Sequence, residues 1–395
     1  MRLRTQLRLM FRGRRRLWRW PFYAALALTA HVTCARASPH LPTSDAEVLA
    51  ELPAGARHAG LPSRELTARR LDVALPLAQF DISRARATGD LRFLGYAEAI
   101  LAPWMSQPVV APQVLVLHAT ILQSRHAFNA SLVELDRALQ ARPDDAQGWL
   151  TRATVLRVVG RYDEALDSCS HLALAADSAI TTLCQQSVLG LTGHLSSAYA
   201  AIVAISPKEM PPEARAWRYS ELGEMAERRA DDAAAEHWFR EGLALSPDDF
   251  YMRLAYADLL LRQTRAAETL QLLAGYESME PMLLRVAIAH RQLHDGASTP
   301  AEALLSSAFD VEQRRGDAVH RREQARYLLD VDHRPTAALA AALENWKVQR
   351  EPDDVLMLLR SAQAAHEAPA AAPAQRFLQR SGLEDTRLAP YRDPT

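Results

Sequence analysis

Lysine is almost missing from this chain. Of its 46 basic residues only Lys208 and Lys347 are lysines, and the rest are arginines. The bias reads as a coding habit of the source and carries no functional weight. Glycine is also scarce, at 15 of 395 residues, where ~7% is usual. Few stretches show the Val/Ile/Thr alternation of a β-strand, which argues against a sheet. There is no Gly-rich phosphate loop, no Gly-x-Ser-x-Gly elbow, no Cys-x-x-Cys and no His-Glu-x-x-His. The commonest signatures of nucleotide hydrolases, serine hydrolases, dithiol centres and zinc peptidases are thus missing.

What is present is alanine and leucine at helical spacing along nearly the whole chain. That pattern predicts an all-α protein. The net charge of −1 hides an asymmetry, because residues 1–37 hold nine arginines and no acid. Without them the chain has 37 basic and 47 acidic residues. An acidic body repels nucleic acid, so no nucleic-acid partner is expected.

The arginine-rich start is followed by an apolar run from residue 21 and by Ala35-Arg36-Ala37. Basic, apolar, then small-x-small is the order of a secretory signal, cleaved here before Ser38. The run is ~14 residues at most, against the ~20 that a membrane span needs. The expectation is therefore export, to a periplasm or an equivalent space. The membrane enters only if the amino terminus stays uncleaved. Residues 38–62 hold several prolines and little periodicity, and are expected to be an extended linker.

Internal repeats carry most of the information. The clearest unit spans 146–178 and reads AQGWLTRATVLRVVGRYDEALDSCSHLAL. Gly160 supplies the turn, Tyr162 the plug between paired helices, and Ala165 the close approach. A second unit at 216–249 has Leu222-Gly223, Ala235, Phe239 and a closing Pro247; weaker copies begin near Pro112, Ile180, Phe250, Pro281 and Val319. This pattern resembles the tetratricopeptide repeat. The resemblance implies a right-handed superhelical solenoid of antiparallel helix pairs over 63–366. Residues 353–366 would be its polar cap, and 367–395 an Ala/Pro linker with a short tail.

The resemblance further implies that the first helix of each pair lines a concave face that binds a protein or peptide. In that register the candidate groove residues are Leu150, Thr154, Arg157, Trp217, Ser220, Glu224, Tyr251, Leu254 and Asp258, with Gln113, Val116, Thr120 and Gln147 further along the same face. Cys169 falls on the second helix of one pair and Cys184 on the first helix of the next. They form a candidate disulfide pair in an exported protein.

No catalytic residue, cofactor or metal site is predicted. His290 and His294 stand four apart on a helix, but no third ligand has a suitable spacing. The acid pairs Asp144-Asp145, Asp231-Asp232, Asp248-Asp249 and Asp353-Asp354 precede helices and are read as caps. Two other functions compete with the scaffold. One is a helical-repeat enzyme using Glu224 or Asp258 as its acid. The other is a structural subunit anchored through the amino terminus.

Overall fold

The computed structural model describes residues 70–296, 298–315 and 320–391. The expected signal at 1–37, the 38–62 segment and the first residues of the repeat region lie outside the described residues. All described residues belong to one compact unit, 60–395. Among them are eighteen α-helices and three short 3-10 helices, with no strand.

The helices are α1 (Leu71–Thr88), α2 (Arg92–Met105), α3 (Pro112–Ser124), α4 (Phe128–Ala141), α5 (Ala146–Val158) and α6 (Tyr162–Leu172). Then come α7 (Ser178–Leu189), α8 (Leu195–Ala204), α9 (Pro212–Arg228), α10 (Asp232–Leu245), α11 (Phe250–Arg262) and α12 (Ala266–Leu273). The last are α13 (Glu280–Leu293), α14 (Ser298–Arg315), α15 (Arg321–Asp330), α16 (Pro335–Trp346), α17 (Pro352–Ala364) and α18 (Ala372–Ser381). Consecutive helices pack as pairs, α1 on α2, α3 on α4 and onward to α15 on α16, and each pair stacks on the next. This is an all-α solenoid of antiparallel helix pairs, the class that the repeat spacing predicts.

One backbone feature sets the period. Gly89, His126, Gly160, Gly193, Ala230, Thr264, His294, His333 and His366 all have positive φ, between 53° and 78°. Each stands at the end of the first helix of its pair. The following amide reaches back to a carbonyl five residues earlier: Ala127 to Leu122, Arg161 to Leu156, Asp231 to Ala226 and Arg265 to Leu260, all at 2.8–2.9 Å. That bond is the signature of a left-handed helix stop, which satisfies the orphaned carbonyls and reverses the chain. His294 is one of these turn residues, so it does not share a helix face with His290. The His290 ring instead meets Asp295 at 2.8 Å.

The small residue near the start of each second helix is the other constant. Ser131, Ala165, Ala198, Ala235 and Thr269 are all fully buried. Ser131 donates its hydroxyl to the Ala119 carbonyl of the partner helix at 2.8 Å, so the two backbones nearly touch. Gly223 shows the same constraint from the other side, since a Cβ there would lie 2.4 Å from the Phe239 ring. The acid pairs act largely as caps. Asp145, Asp231 and Asp249 accept from Gly148, Ala234 and Met252 amides at 2.9–3.1 Å, and Asp354 closes a reciprocal capping box with Glu351.

The carboxy-terminal part departs from the expectation. Residues 353–366 are not a polar cap: α17 buries Val355, Met357, Leu358, Leu359 and Ala362. The expected linker and tail at 367–395 is not a linker over its described part, because 368–391 fold back onto the earlier repeats. Phe377 sits against Tyr162 and Trp346, with ring centroids 5.8 and 5.5 Å away. It also packs on Gly160, where a Cβ would meet the Phe377 ring at 2.8 Å. Glu384 accepts from the first amide of α8, Leu195, at 2.7 Å. The Arg350 amide and guanidinium donate to Val158 and Val159 carbonyls, each at 2.8 Å. A cation there complements the carboxyl end of α5. The apolar spacing of Phe377, Leu383 and Leu388 explains the return, because one pair's exposed face and the tail cover each other. At the other end α1 packs against α11, with Gly89 close to Phe250 and Met279. The solenoid therefore closes on itself.

Candidate functional site

Among the described residues, cavities of about 1620 and 850 Å³ lie along the first helices of the pairs. They share Glu224 and Tyr251 as lining residues. Leu150, Thr154 and Arg157 on α5 and Trp217 and Ser220 on α9 line the smaller one. Leu254 and Asp258 on α11 line the larger. All nine predicted groove positions thus face these cavities. Gln147 joins the smaller. Val116 and Thr120 do not: Val116 is core, and Thr120 is buried with its hydroxyl bonded to the Val116 carbonyl at 2.8 Å. On α3 it is Gln123, toward the end of the helix, that lines the smaller cavity.

The smaller cavity mixes apolar and polar walls. Leu150, Val188 and Trp217 face it beside Arg157 and Glu221, which form a close ion pair. The Trp217 indole donates to Glu221 at 3.0 Å. Arg86, from α1, also lines the cavity and is solvent-accessible. Among the described residues it has no acidic or hydrogen-bonding partner, and desolvation by the surrounding walls lowers its pKa.

Glu224 stands between the cavities. Burial first, then the neighbouring Glu221 charge, pushes its carboxyl up to about 8, against the pull of Arg157 and a hydrogen bond from Tyr251. Ser220 donates to it at 3.4 Å. Asp258 is the opposite case. Burial works against its charge, but Arg285 at 2.7 Å and Arg326 at 2.5 Å outweigh it and hold the carboxyl well below the usual range. An acid held so firmly ionised is unsuited to giving up a proton.

Sequence reading missed the charged lattice around the larger cavity. Arg285 bridges Asp258 and Glu323. Arg322 meets Glu351 and Asp354 at 3.1 and 3.3 Å, and Arg387 meets Asp353 and Asp385 at 2.9 and 2.7 Å. Arg360 meets Asp330 at 2.6 Å. Most of these pairs join residues some thirty positions apart, so no local spacing reveals them. Cys169 on α6 and Cys184 on α7 stand 5.7 Å apart at Cα and are joined as a disulfide, which ties the third helix pair to the fourth.

These features define a tetratricopeptide-like helical repeat protein, closed by its own carboxy-terminal arm. No family model matches the sequence, and no curated protein matches it. Solved structures do resemble it. A Pseudomonas aeruginosa PilF structure is 15% identical, covering 63% of this chain and 95% of that one, at a TM-score of 0.32. The type IV pilus biogenesis factor PilW is 14% identical, covering 70% and 96%, at 0.30. A tetratricopeptide repeat protein from Parabacteroides merdae is 12% identical, covering 83% and 98%, at 0.25. At these scores the likeness carries no argument about function.

Proposed function

We propose that the protein is an exported scaffold that binds a peptide segment of a protein partner in the smaller inner cavity. The observation that supports this reading is the composition of that cavity. Trp217 and Leu150 offer apolar contact, Tyr251 is 48% exposed, and Arg86 is an unneutralised cation. Trp, Tyr and Arg are the residue types that dominate interface energetics. The partner segment is then apolar with an acidic side chain that reaches Arg86.

The test is affinity capture from envelope extracts with the intact protein, repeated with Trp217→Ala, Tyr251→Ala and Arg86→Ala. Loss of one common partner in all three supports the site. Undiminished capture by all three removes it. Amino-terminal sequencing addresses export: a mature start at Ser38 supports it and rules out the membrane-anchored subunit.

One observation favours a second reading, the helical-repeat enzyme. Glu224 lines both cavities, and burial with the neighbouring Glu221 charge pushes its carboxyl up to about 8, the direction a general acid needs. If so, Glu224→Gln abolishes hydrolysis of an envelope glycan without changing its binding. If no such turnover is found with wild type across peptidoglycan and polysaccharide fragments, the scaffold reading stands alone.

A further inference from the structure

Among the described residues, ion pairing around the two cavities is complete but for two arginines. Eight arginines line the larger cavity, and seven of them meet a carboxylate, as Arg360 meets Asp330 at 2.6 Å. Arg228 does not. It is only 4% exposed, and among the described residues its one hydrogen bond runs from Nη1 to the Gly190 carbonyl at 2.6 Å. A guanidinium carries several N–H donors, and burying them without an acceptor is costly. The acids whose charge Arg228 feels are engaged elsewhere. Asp385 is held by Arg387 at 2.7 Å, and Glu221 by Arg157. Burial and the Glu221 charge push Glu224 up to about 8, so below that pH it does not supply the missing negative charge.

The second exception is Arg86 in the smaller cavity, so each cavity holds one cation without a carboxylate. The cavities meet at Glu224 and Tyr251, which line both. Helix α9 runs past the junction. Trp217 lines the smaller cavity, Glu224 lines both and Arg228, at the end of the helix, lines the larger. These positions fall on one face of the helix. From Trp217 to Arg228 the helix rises ~16 Å, which an extended peptide covers in about five residues.

We propose that the segment held in the smaller cavity runs on past Glu224 and Tyr251 and places a second acidic side chain on Arg228. This second anchor rests on the peptide-binding reading above and specifies the partner further. The segment offers an acid to Arg86, an apolar side chain to Trp217, and a second acid about five residues beyond the apolar one. Two anchors at a fixed distance select by spacing. A segment whose acids are spaced otherwise leaves one guanidinium unmet, and that cost falls on the wrong partners.

The test is fluorescence anisotropy of the full chain with short synthetic peptides, acetylated and amidated so that no terminal carboxylate competes. Each carries a glutamate beside leucines and, at a varied distance, a second glutamate or a glutamine in its place. Wild type should prefer the second glutamate by ~10-fold, since a charged acceptor replaces a neutral one. The preference should peak near a spacing of about five residues. Arg228→Gln should erase it, and Arg228→Lys, which keeps the charge without the fork, should retain part of it. Circular dichroism shows whether each variant is folded, and the wild-type comparison decides without them. Equal binding of glutamate and glutamine peptides by wild type would overturn the second anchor and leave the smaller-cavity reading intact. A preference that ignores spacing, or that survives in folded Arg228→Gln, would overturn it too. If wild type binds none of the peptides, the smaller-cavity reading fails and the second anchor with it.

Discussion

The nine left-handed turn residues recur 30 to 39 residues apart, yet only three are glycine. Four are histidine, a residue enriched several-fold at positive φ among those with a side chain. The backbone demand is constant and the residue answering it is not, so the turn residue alone does not mark a unit: the legible one at 216–249 has Ala230 there, and the weaker copy from Ile180 has Gly193. Ala230 and Thr264 sit least comfortably there, and a left-handed conformation costs such residues ~1–2 kcal/mol. Ala230→Gly and Thr264→Gly should each stabilise the protein by ~0.5–1 kcal/mol in urea unfolding. Gly223→Ala should destabilise it by ~1–3 kcal/mol, because the added carbon meets the buried Phe239 ring. Glu224 gives a pH test. Its folded value of about 8 lies above the ordinary 4.5. Between those values the unfolded chain has released a proton that the folded chain keeps. Stability therefore falls as pH rises through that window and levels off above it. Glu224→Gln stays neutral throughout, so its melting temperature should gain on wild type between pH 5 and 8.5. A constant difference across that range would show that Glu224 is not held protonated.

At the scale of helices, pairs were legible where small residues and caps coincide. The units at 146–178 and 216–249 hold Ala165 and Ala235, both fully buried. The weaker pairs were visible only as periodicity, and α15, in the copy that begins near Val319, is the faintest: Arg321–Asp330 is highly polar and still buries Glu323, Ala325 and Tyr327. A buried carboxylate paired to Arg285 looks in sequence like a solvated face. The inner positions on α5, α9 and α11 followed from register, while their cross-pair partners did not, because those arise only on closure. The Cys169–Cys184 bridge joins α6 to α7 across a sequence separation of 15. Closing a loop of that size removes unfolded-state entropy worth ~3 kcal/mol. Reduction should lower the unfolding midpoint by a corresponding amount, and Cys169→Ala with Cys184→Ala should match the reduced protein. Mass spectrometry of the purified chain, with and without alkylation after reduction, reports whether the bridge is present. Two free thiols in protein recovered from an oxidising compartment would remove it.

For the molecule as a whole, the carboxy-terminal arm decides between a closed body and an open superhelix. Repeat arrays owe their stability to each unit and its neighbours, so removing an end normally trims stability by one interface. Here the arm covers an interior region instead. It meets the turn at Gly160, the ring of Tyr162 and the start of α8, all in the third and fourth pairs. Deleting residues 368–395 should therefore expose the middle of the array as well as its end. The expected outcome is a larger radius of gyration in X-ray scattering, with helix content outside the deleted arm retained. Phe377→Ala isolates the anchor: burial among Tyr162, Trp346 and Gly160 predicts a loss of ~3–5 kcal/mol. Glu384→Gln should cost only ~1 kcal/mol, since an amide oxygen can still accept from Leu195 but without charge. Phe377→Ala should also raise cleavage by a protease within 158–195, where the arm shields the turns. If truncation leaves both the scattering profile and the cleavage pattern of 158–195 unchanged, the arm is an appendage and the inner cavities are shaped by the repeats alone.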